Sequence, residues 1–112
     1  MQETLLNTVK KLLGIDADYD AFDVDILMFI NGALFTLTQL GVPNLKRTVT
    51  ATDTTSDIFP LGSDYESLVS YMYLKVRLQF DPPSNSFIVD SFQKQINEYE
   101  WRLNVSAESV IL

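Results

Sequence analysis

Segments 22–40 and 65–80 are each apolar on two opposite sides when wound at about 100° per residue, and nothing else in the chain constrains its fold as tightly. In the first, Phe22, Ile26, Phe29, Ile30, Ala33, Leu37 and Leu40 form one stripe, with Val24, Met28 and Phe35 opposite. In the second, Tyr65, Val69, Met72, Val76 and Phe80 form one face and Tyr71, Leu74 and Leu78 the other. A third segment, 84–104, has a single stripe of Ile88, Phe92, Ile96, Tyr99 and Leu103, while Phe87 and Trp101 point away from it. A surface helix in a monomer needs only one apolar side. A chain of 112 residues makes one domain with few interior positions. One helix, the second being the candidate, can bury both faces by sitting centrally among the others. Two such helices, however, predict cover from neighbouring copies, and large exposed aromatics such as Trp101 suit an interface anchor.

The boundaries of these segments are readable. A short first helix, 4–13, carries Leu5, Leu6, Val9, Leu12 and Leu13 at helical spacing and stops at Gly14. An acidic run follows, in which Asp18 or Asp20 is expected to cap the second helix, with the later carboxylates in its first turn. That helix runs to Leu40 and ends at Gly41. Ser63-x-x-Glu66 has the capping-box pattern that starts the third helix, and Asp81-Pro82-Pro83 stops it. Ser84 is expected to cap the fourth helix, which reaches Leu103 or Asn104. The expected fold is all-α: a small bundle of one short and three longer helices, as a single domain over 1–104 with a tail over 105–112. Helices two and three are joined by a long connection, 41–62, whose Thr-rich middle alternates weakly, as an extended segment or hairpin does.

Composition narrows the chemistry. The chain has neither cysteine nor histidine, which excludes disulfides, thiolate nucleophiles, Cys/His zinc sites and His-based triads. With 15 acidic against 8 basic residues the net charge is −7, the wrong sign for a free-standing binder of nucleic-acid phosphates. The most apolar stretch, 26–40, is interrupted by polar residues and shorter than the ~20 residues that span a bilayer, so no membrane association is expected. Asp16-x-Asp18-x-Asp20 imitates the opening of a calcium loop, but Ala21 and Leu27 stand where that loop needs glycine and a bidentate glutamate. Asp90, Lys94, Glu98 and Arg102 read as a solvated ladder of ion pairs. The four glycines are isolated, so no phosphate-cradling loop exists. The pattern predicts neither catalysis nor a cofactor nor a metal.

The run Tyr73-Leu74-Lys75-Val76-Arg77-Leu78-Gln79-Phe80-Asp81-Pro82-Pro83, with Glu98-Tyr99-Glu100-Trp101-Arg102-Leu103 further on, resembles the head–tail connector (adaptor) proteins of long-tailed bacteriophages and prophages. The resemblance implies a structural virion assembly protein without enzymatic activity. It implies a ring of roughly a dozen copies, docked on the portal and extending the DNA channel toward a stopper or tail-completion protein. DNA would pass without sequence-specific binding, and the protein would sit at the head–tail junction of the virion after assembly in the host cytoplasm. By analogy Val24, Met28, Phe35, Tyr71, Leu74, Leu78, Phe87 and Trp101 would be subunit contacts. Lys46 and Arg47 would lie on the channel loop, and Val110, Ile111 and Leu112 would meet the portal or stopper. A different class of function, a small dimeric helical regulator or inhibitor of a host protein, needs only one surplus apolar face.

Overall fold

The computed structural model describes residues 3–42, 45, 48–59 and 65–111, with side chains over 66–105 in the last stretch. Among them the chain forms α1 (Leu5–Leu13), α2 (Asp23–Gln39), α3 (Thr55–Ile58), α4 (Tyr65–Phe80) and α5 (Ser86–Ile111), with no strand. The all-α bundle expected from the sequence is the fold observed, with one extra single-turn helix, α3.

Thr4 starts α1 by accepting the Asn7 N–H on its Oγ1 at 3.1 Å. Gly14 ends it in the left-handed region at φ 82°, so that the Gly14 and Ile15 amides reach the carbonyls of Lys11 and Lys10. Leu5, Leu6 and Val9 enter the core. So does Lys10, which is fully buried. Its ammonium donates to the carbonyls of Ala17 at 3.0 Å and Tyr19 at 2.7 Å and pairs with Asp23 Oδ1 at 2.8 Å. Two carbonyls thus accept from the ammonium and a carboxylate balances its charge, the conditions under which a cation tolerates burial.

This contact explains a departure from the sequence reading. The Ala17 and Tyr19 carbonyls are held by Lys10 outside a helix, so α2 begins at Asp23 and neither Asp18 nor Asp20 caps it. Phe22 takes the N-cap position with no side-chain bond, while Asp23 and Asp25 fall in the first turn, where the helix dipole favours them. Phe22 instead stacks edge-on against Phe80 at 5.1 Å between ring centres, joining the start of α2 to the end of α4. Ile26, Ile30, Ala33, Leu34 and Leu37 bury the inner side of α2. Gly41, at φ 94°, stops the chain as expected.

The segment 48–59 is fastened at several points. Asn31 on α2 acts as a backbone mimic: its Oδ1 accepts the Val49 N–H at 2.6 Å and its Nδ2 donates to the Val49 carbonyl at 3.2 Å. Asp53 Oδ2 accepts from the amide and hydroxyl of Thr50, and its carbonyl takes the Leu5 amide. Thr54 and Asp57 cap each other reciprocally to start α3. These bonds seat Val49, Ile58 and Phe59 in the core. Ser63, expected to cap the next helix, lies outside the described residues.

α4 is the central element, touching α1, α2 and α5. Leu68, Tyr71, Met72, Leu74 and Val76 are buried on its several sides. It ends at Phe80, before Pro82 and Pro83. Asn85, not Ser84, opens α5: its Oδ1 accepts the Phe87 N–H at 2.8 Å and the Ile88 N–H at 3.4 Å. α5 then continues to Ile111, past the expected end near Asn104, because no glycine or proline interrupts that stretch. Asn104 ties it to the far end of α2 by donating to the Leu40 carbonyl at 3.0 Å. The molecule measures 44 × 37 × 19 Å, and the last dimension is that of two packed helix layers.

Candidate interaction surface

The second stripe of α2 lies in solvent. Val24, Met28 and Phe35 are 80, 61 and 63% exposed, on the side opposite the buried Ile26, Ile30, Ala33 and Leu37. They recur at the four- and seven-residue steps that keep side chains on one helix face. Gly32 belongs to the same exposed face, and among the described residues nothing lies within 4 Å of where its Cβ would be. The face therefore alternates bulky and bare positions. Asp25 is the only charged residue among the exposed positions of α2.

Phe87 and Trp101, on α5, are 83 and 67% exposed. Fourteen residues separate them, about 21 Å along the axis, with exposed Asp90, Lys94 and Glu98 in between. These two aromatics are isolated anchors, unlike the continuous strip on α2. Glu98 pairs with Arg102 four residues on, one rung of the ladder expected from the sequence. The pair is exposed and contributes at most a few tenths of a kcal/mol.

The structure takes the other expected contacts elsewhere. Tyr71 and Leu74 are buried within the chain, and Leu78 is half-buried against the same core. α4 lies between α2 and α5, which cover the sides that the sequence left unassigned. These three residues are therefore core or core-edge positions in the folded subunit, a correction to their assignment as contacts. The Tyr71 hydroxyl donates to Glu100 Oε2 of α5 at 2.8 Å. Burial and, next, that carboxylate hold the Tyr71 proton far above the usual tyrosine range, with Thr36 acting in the opposite sense. Lys46, Arg47 and Leu112 lie outside the described residues, as do the side chains of Val110 and Ile111, whose backbone closes α5.

Sequence periodicity missed further exposed apolar groups. Phe22 and Ile88, assigned to inner stripes, are substantially exposed, as are Leu12 and Tyr19. Phe22 is the N-cap residue of α2 and Ile88 lies in the first turn of α5, where fewer neighbouring elements overlap the stripe. Leu12 and Val69 line a broad open hollow of about 590 Å³ with Thr8, Thr55, Glu66 and Ser70. Among the described residues no group of acidic side chains could hold a metal ion, and no helix is long and apolar enough to cross a membrane.

The arrangement has the chemistry of association: apolar strips and aromatic anchors on a thin helical slab. Residues 5–110 match the family model described as phage connector protein. No curated protein and no solved structure gives a match.

Proposed function

The chain belongs to the phage connector protein family, a structural family of phage proteins, and from that membership we propose that it is a ring-forming subunit of the head–tail junction. In this reading copies associate side by side, dock on the portal and prolong the DNA channel toward a stopper or tail-completion protein. The observation that carries it is the uncharged outer strip of α2, with Val24, Met28 and Phe35 in water on a folded subunit whose core is already complete. Contiguous exposed apolar surface of this kind marks a protein contact. Phe87 and Trp101 are the anchors proposed for the facing subunit or the portal.

Charge supports the channel role. A passage through which DNA slides must not grip phosphates, and a chain of net charge −7 supplies few groups that could. The stretch from 105 onward, which continues α5 and ends in Val110, Ile111 and Leu112, is proposed to meet the portal or stopper, and Lys46 and Arg47 to lie on the channel loop.

Native mass spectrometry and negative-stain imaging of the chain, alone and mixed with its portal, test the reading. A closed multimer seated on the portal is expected. A chain that neither binds the portal nor forms a multimer in its presence overturns it.

A further inference from the structure

The exposed strip of α2 is self-complementary when read backwards. In order it runs Val24, Met28, Gly32, Phe35. An antiparallel copy centred between Phe29 and Ile30 sets Val24 against the second copy's Phe35 and brings Met28 within one residue of its Gly32. Each bulky side chain then meets a smaller one, and the bare backbone at Gly32 admits Met28 as a knob enters a hole. We infer that two free subunits pair through this face as a two-fold, isologous α2–α2 dimer.

Charge fixes the orientation. Residues 14–45 contain five aspartates and no lysine or arginine, and all five lie at or before the first turn of α2. A parallel pair would bring the two acidic ends together. The antiparallel pair places each acidic end beside the uncharged half of the other helix, where Thr38 and Gln39 are exposed. α5 is the poorer occupant, because Asp90, Lys94 and Glu98 interrupt the surface between Phe87 and Trp101. One helix face falls short of the ~1,600 Å² of a standard interface, so the dimer is weak. It shields the strip on the free subunit and gives way when stronger contacts compete for it. This inference concerns the chain without its portal, so its failure leaves the ring reading intact.

The absence of native cysteine makes the test direct. Val24→Cys and Phe35→Cys are each oxidised alone and as an equimolar mixture. The mixture is expected to yield a disulfide-linked dimer, while each single variant stays unlinked, because its two thiols lie ~16 Å apart along the pair. Linkage within the single variants, or none in the mixture, overturns the antiparallel pairing. Gly32→Leu keeps the hole filled. It is expected to leave helicity intact, since leucine favours a helix over glycine, and to weaken dimerisation at least ~10-fold by sedimentation equilibrium. Unchanged association, or a wild-type chain that stays monomeric at about 0.5 mM, sinks the inference.

Discussion

α2 and α4 are nearly equal in length, 17 and 16 residues, and both are apolar on two sides, yet they end in different surroundings. α4 lies among α1, α2 and α5 and covers its faces within the chain. α2 covers its inner face and leaves Val24, Met28 and Phe35 in water. Two-sided apolar patterning therefore states that a helix requires cover; it does not state whether the same molecule supplies it. The distinction lies in the order of neighbours, which depends on pairings far apart in sequence.

The contrast predicts opposite consequences for like substitutions. Leu74→Asp on α4 places a carboxylate in the core and is expected to cost more than about 4 kcal/mol, abolishing the folded state in urea denaturation followed by circular dichroism. Retention of the native transition would show that this side of α4 is open like the outer side of α2. Lys10→Met comes next, at about 3–5 kcal/mol. It leaves Asp23 without its cation and frees the two carbonyls that define where α2 begins.

Tyr71→Phe is expected to cost about 1–2 kcal/mol, because it removes a hydrogen bond to a carboxylate. Its pH signature is more informative. The unfolded chain releases a tyrosine proton near about pH 10, whereas the folded protein holds that of Tyr71 to higher pH. The corresponding stability is complete below about pH 10 and is lost as pH rises beyond it. Tyr71→Phe should flatten that alkaline slope in urea titrations, and an unaltered slope would contradict the buried Tyr71–Glu100 contact.

The smallest effect on folding belongs to Phe35→Asp on the outer strip of α2, within about 0.5 kcal/mol of wild type. The same variant should lose the portal-seated multimer by light scattering. Trp101→Ala is expected to act likewise. A large stability loss for Phe35→Asp would remove the difference between the two helices.

Much of this architecture is legible in the sequence. Gly14, Gly41 and the Pro82–Pro83 pair end helices by backbone restrictions local to a few residues. The outer strip of α2 is legible for the same reason: helical period alone separates Val24, Met28 and Phe35 from the inner stripe. What periodicity could not supply was the burial of Tyr71 and Leu74, which depends on α4 being central. Nor could it identify Lys10, whose charge suggests a solvated position until two carbonyls and a carboxylate from 17–23 converge on it. The core roles of Val49, Ile58 and Phe59 were hidden similarly, since an irregular segment carries no period. Asn31 fixes its path through bonds that span 18 residues, and Asp53 through one that reaches back to Leu5.

The buried ammonium of Lys10 also sets how the first quarter of the molecule can move. Peeling α1 away would take the cation from Asp23 and from the Ala17 and Tyr19 carbonyls, and loosening 17–23 would strip the ammonium of its acceptors. Neither piece can fray alone at low cost, so their slowly exchanging amides should share one opening free energy in hydrogen–deuterium exchange. The N-terminal segment is thus a single cooperative latch, able to stay shut while the opposite face of α2 trades one neighbour for another.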